Sequence, residues 1–97
     1  MQIRLSQAAE TDLLQGFNFY ERQQLGLGAY FLNSLSSDID SLMLYAGVHP
    51  KLTERFYRML AKRFPFAIYY ELTADIATIV AVLDCRQNPI STHNRLV

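Results

Sequence analysis

The run Ile76-Ala-Thr-Ile-Val-Ala-Val-Leu83 constrains the fold more than any other segment, because it carries no charge and five of its eight residues are β-branched. β-Branched side chains fit a pleated backbone better than a helix, and a strand apolar at successive positions needs cover on both of its faces. The run therefore reads as a central strand, and the rest of the chain must supply its neighbours and its cover.

The first half supplies helices. Gln2 to Leu5 reads as a short strand ended by Ser6, whose hydroxyl can accept from the free amides of a helix start. Ala9, Leu13, Phe17 and Tyr20 then recur at helical spacing, Leu14 widens the stripe, and Glu10 and Asp12 lie near the positive helix end, so residues 7–23 form one amphipathic helix. Gly26 and Gly28 close it, since glycine permits the left-handed backbone of a helix stop. From Ala29, the residues Phe31, Leu35, Ile39 and Leu42 mark a second stripe, and the two helices form an antiparallel hairpin. His49-Pro50 ends that stretch.

Strands follow. Phe64-Pro65 separates a strand at 55–63 from one at 66–72, and Thr73-Ala-Asp75 makes the turn into Ile76–Leu83. The order β-α-α-β-β-β gives an α+β fold: an N-terminal strand, an antiparallel helix hairpin, then a three-stranded antiparallel meander, with the helices packed on one face of the sheet. By alternation Phe66, Ile68, Tyr70 and Leu72 face the core, and Ala67, Tyr69 and Glu71 face away from it. At 97 residues, 51% hydrophobic and 19% charged, residues 1–97 read as a single domain. Phe17, Phe31 and Phe66 belong to its core, whereas Tyr57, Tyr69 and Tyr70 would be free to stack on bases if exposed.

The zero net charge hides a division: residues 1–50 hold two arginines against five carboxylates, and residues 51–97 hold seven cations against four. Lys51, Arg55, Arg58, Lys62 and Arg63 crowd around one strand, which makes it either a contact surface for something acidic or a solvated strand face. No signal peptide and no apolar run near the roughly 18 residues of a membrane span are visible, which with a lone cysteine, Cys85, leads to the expectation of a cytoplasmic protein without membrane contact. His49 and His93 stand apart from any cysteine pair or carboxylate cluster, so no metal site is expected. Cys85 lacks a recognisable base partner, and Gly26 and Gly28 join helices instead of following a strand, which favours a helix turn over a phosphate loop.

Several stretches together carry a family resemblance over nearly the whole chain. They are Phe19-Tyr20-Glu21, Gly26-Leu-Gly-Ala-Tyr-Phe-Leu32, Arg58-Met-Leu-Ala-Lys-Arg-Phe-Pro-Phe-Ala-Ile-Tyr-Tyr70, and Val80-Ala-Val-Leu83 followed by Arg86-Gln-Asn-Pro89. In this order the chain resembles the RelE/ParE superfamily, the toxins of bacterial type II toxin–antitoxin modules, and within it the ParE-like or plasmid-stabilisation members. The resemblance implies a growth-arresting toxin neutralised by a cognate antitoxin, with DNA contacted only indirectly through that antitoxin, and no cofactor. ParE-like members poison DNA gyrase without being nucleases, and RelE-like members cleave mRNA on the ribosome. An antitoxin-binding relative without activity is a third possibility.

Cleavage by a 2′-hydroxyl requires a proton acceptor, a proton donor and cations for the developing phosphoryl charge. Ala67 stands where the RNase branch often has an arginine, while Asp84 and Thr92 stand where ParE-like chains often have histidine and tryptophan. The resemblance thus favours a gyrase inhibitor, with Arg58, Lys62, Arg63, Arg86 and Arg95 toward the target and Tyr57, Tyr69 and Arg63 toward the antitoxin. An RNase would instead use Arg58, Lys62, Arg86 and His93, with His93 as acid or base. For Arg86 an ion pair with Asp84 or Glu71 is the competing role.

Overall fold

The computed structural model describes residues 1–97. In chain order it holds β1 (Gln2–Leu5), α1 (Gln7–Gln23), α2 (Leu27–Asp40), α3 (Leu42–Tyr45), β2 (Tyr57–Leu60), β3 (Phe66–Thr73), β4 (Ile76–Asp84) and α4 (Pro89–Leu96). The sheet order is β1-β4-β3-β2, with β1 parallel to β4 and the other pairs antiparallel. The apolar run is central, as expected, and the α+β architecture with its meander is as the sequence indicates.

Ser6 caps α1 by accepting from the Ala9 N–H at 3.1 Å. Ala9 and Tyr20 are buried and Leu13 and Phe17 half-buried, but Leu14 is 59% exposed and does not widen the inward face. The helix pair approaches closely at two glycines. A methyl at Gly16 would lie 2.5 Å from the Phe31 ring, and one at Gly28 would lie 2.7 Å from the Phe17 carbonyl oxygen. Between the helices Gly26 adopts φ 89°, and the Glu21 carboxylate accepts from the N–H groups of Gly26 at 3.0 Å and Gly28 at 2.9 Å. A carboxylate thus sits at the positive end of α2, where the first amides lack helical partners. That helix starts at Leu27, two residues before the expected Ala29. It breaks at Ser41, leaving the buried Leu42 on α3.

Cover differs between the two faces of the sheet. The helix-facing core joins thirteen buried residues, among them Phe31, Leu35, Leu42, Ile68, Tyr70, Ile79 and Val82. Phe31 lies 5.1 Å from Phe64 and 5.0 Å from Phe66 between ring centroids, contacts worth about 0.5–1.5 kcal/mol each beyond the buried area. The opposite face holds six buried residues: Phe56, Ala67, Tyr69, Ala81, Leu83 and Leu96. Ala67 and Tyr69 therefore do face away from the helices, but they are covered, and neither Tyr69 nor Tyr70 is exposed for base stacking.

A bulge in β4 makes the two cores possible. Tyr69 pairs with Ala81 and Tyr70 with Ile79, so Val80 is an extra residue. The alternation changes phase there: Ala77 and Ile79 face the helices before it and Val82 after it, while Ala81 and Leu83 turn to the other face.

One further element differs from expectation, and another adds to the expected order. The strand expected at 55–63 is confined to Tyr57–Leu60; Arg55 precedes it and Lys62 and Arg63 lie in the turn that follows. Of the five cations crowded around this strand, only Arg58 lies within it. Residues 90–97, without clear periodicity, mostly fall in α4, which Asn88 caps by accepting from the Ile90 N–H at 2.9 Å and which starts on Pro89. No helix is long and apolar enough to cross a membrane.

Candidate functional site

On the sheet face opposite the helix pair, α4 and residues 52–53 enclose a cavity of about 440 Å³. Tyr69 and Leu96 give it an apolar floor and wall, and Arg58, Cys85, Thr92 and His93 add polar groups. Register places Arg58 opposite Tyr69 in the β2–β3 ladder. Its Nε donates to the Tyr69 hydroxyl at 3.2 Å, and its Nη2 lies 3.7 Å from Cys85 Sγ. The Tyr69 hydrogen bond, ahead of the opposing effect of burial, raises the Arg58 pKa above its ordinary value. No carboxylate engages Arg58, so this cation is free to meet an anionic group entering the cavity.

The other cations have been placed differently. Arg86 forms a fork with Asp84, Nε to Oδ1 at 2.9 Å and Nη2 to Oδ2 at 2.6 Å, and its own N–H also donates to Oδ1 at 2.8 Å. That pairing holds the Asp84 carboxyl below its usual range. Of the two partners proposed for Arg86, Asp84 is the one observed, and Glu71 pairs with Arg55 instead. Arg95 reaches from α4 to α1 and grips Asp12 through Nη1 at 2.8 Å and Nη2 at 2.9 Å. Lys62 and Arg63 stay exposed in the β2–β3 turn, where the Lys62 N–H donates to Asp38 Oδ2 at 3.1 Å.

Of the four residues considered for RNA cleavage, Arg58 and His93 line one cavity, whereas Lys62 and Arg86 do not. The antitoxin set is likewise divided. Tyr57 packs on the helix side, stacked on Tyr70 with centroids 5.0 Å apart, while Tyr69 faces the cavity. Arg63 sits in the turn beyond both. A second cleft of about 340 Å³ runs between α1 and the end of β4, bordered by Gln15, Phe19, Asp84 and Arg95. No three His, Cys, Asp or Glu side chains converge as a metal-binding group.

Asp12 is the residue whose role the sequence reading missed. Besides holding Arg95, its Oδ2 accepts from the Val82 N–H at 2.9 Å. β1 pairs β4 only as far as Ile79, so the next part of the β4 edge has no strand beside it, and side chains of Ser6 and Asp12 take over at Val80 and Val82. The signal was present in the chain: Ala9, Asp12, Gly16 and Tyr20 are the buried residues of α1 and share one helical face.

A chain in a solved structure of the chromosomal ParDE TA system from P. aeruginosa superposes with a TM-score of 0.74 at 15% sequence identity, covering 84% of this chain and 92% of that one. Neither a protein-family model nor a curated protein matches the sequence.

Proposed function

We propose that this chain is the toxin component of a type II toxin–antitoxin module, acting in the cytoplasm and held inactive by a cognate antitoxin. It acts by binding a protein target, DNA gyrase in the ParE-like manner, and not by cutting RNA. The fold likeness to a ParDE system supports the first statement. For the second, one observation carries the reading: Arg58 is the only arginine or lysine lining the cavity, while Arg86 and Arg95 lie outside it and are each held by a carboxylate. Phosphoryl transfer to a 2′-hydroxyl develops charge that a single arginine covers poorly. The exposed Lys62 and Arg63 in the β2–β3 turn offer instead a polar surface of the kind that meets another protein.

Purified protein should lower supercoiling by DNA gyrase while translated mRNA stays intact. Unchanged supercoiling at saturating protein would reject the gyrase reading. The convergence of Arg58, the Tyr69 hydroxyl and His93 on one cavity favours ribosome-dependent RNA cleavage as the second reading. New 5′ ends by primer extension after induction, abolished by His93→Gln, would establish it.

A further inference from the structure

The connection from α3 to β2 crosses Tyr70 before it reaches the cavity. Tyr70 is fully buried, and its hydroxyl has two partners, both on that connection: the Gly47 N–H at 2.9 Å and His49 Nδ1 at 2.6 Å. An amide N–H can only donate, so the phenol accepts from Gly47 and has His49 Nδ1 as the acceptor for its own proton. With Nδ1 accepting, His49 is the neutral tautomer that carries its proton on Nε2. Gly47 takes φ 93°, which sets the chain over the phenol. Pro50 then accepts from the Arg58 N–H at 2.9 Å along the β2 edge, and the Leu52 N–H donates to the Phe56 carbonyl at 2.8 Å, bringing Leu52 and Thr53 to the cavity wall.

We propose that residues 46–53 form a proton-operated strap, in which protonation of His49 at Nδ1 releases the hold on Tyr70 and loosens the Leu52–Thr53 wall of the cavity. Protonated Nδ1 no longer accepts, so the buried phenol O–H would be left without a partner, at a cost comparable to that of other unsatisfied buried donors. The charged and titratable groups around the pair offer the new cation no compensation. They are Tyr70 on β3, Tyr57 on β2 stacked against it, and Lys51 on the strap with its Nζ 5.2 Å from the Tyr57 ring centre. Burial, without any carboxylate contribution, lowers the His49 pKa from its ordinary 6.5. The strap is thus most firmly closed above that value, and the closure weakens as pH falls through the lower folded-state value. This inference is independent of the toxin reading.

Nitrogen-detected NMR of the assigned His49 ring, with amide exchange at Gly47 and Leu52 between pH 8 and 5, tests it. Nδ1 should be the unprotonated nitrogen at pH 8. Once exchange is corrected for its intrinsic pH dependence, opening at both amides should rise on acidification by about tenfold for each pH unit between the closed and open His49 midpoints. His49→Gln, which keeps an acceptor but does not titrate, should make opening independent of pH. Tyr70→Phe should return the His49 midpoint toward its ordinary value. A proton on Nδ1 at pH 8, or protection unaltered while His49 titrates, would overturn the proposal, and the His49→Gln comparison decides it even if Tyr70→Phe does not fold.

Discussion

The two faces of the sheet are built on the same strands but closed in different ways. Against one face lie α1 and α2, whose aromatic and aliphatic side chains interlock around Phe31 and Leu35. Against the other lies an eight-residue helix that contributes one buried side chain, Leu96, and leaves a cavity beside it. Isolated helices this short are marginal in water, so α4 depends on its docking. The contrast teaches how unevenly packing is distributed: the first face holds the fold, and the second keeps a cation accessible because it is only partly packed.

Mutations can break that division or sharpen it. Phe31→Ala should have the largest effect, about 4 kcal/mol, because it opens a cavity among Tyr20, Phe64 and Phe66; chemical denaturation measures it. A loss below about 1 kcal/mol would mean that the helix face is not the stabilising one. Asp12→Ala should cost about 3 kcal/mol, since it orphans both the Val82 N–H and Arg95, and Asp12→Asn should recover part of this. Leu96→Ala should cost about 2 kcal/mol and act locally, with faster amide exchange in α4 and protection retained in β3 and β4. Arg58→Gln should change stability least, by about 1 kcal/mol for the lost hydrogen bond to Tyr69, yet it should remove target binding in a pull-down against the purified target. Unaltered binding would separate the cavity from function.

The sequence carried most of the helix face. Its periodic stripes in α1 and α2, the Ser6 cap and the central β4 run were legible because burial and helical or strand period coincide there. The second face was less legible, for identifiable reasons. The Val80 bulge changes which side chains face the helices, and a run apolar at every position hides such a phase change. α4 owes its existence to Asn88, Leu96 and a distant carboxylate more than to its own pattern. Asp12 looked like a helix-dipole residue, because only the fold reveals the Val82 amide waiting 70 positions later. The candidate cations were visible, but their partners are fixed by turns, which place Arg86 against Asp84 and move Lys62 and Arg63 out of the ladder.

The shortness of β1 also bears on how these molecules behave in crowded solution. A strand that ends at Leu5 would leave the rest of the β4 edge ready to accept a strand from another chain. Ser6 and Asp12 occupy that opening with their own hydrogen bonds, one to the Val80 carbonyl and one from the Val82 N–H. The same aspartate that fastens the C-terminal helix therefore also guards β4 against self-association, and a chain lacking it would be expected to lose solubility on storage before it lost its fold.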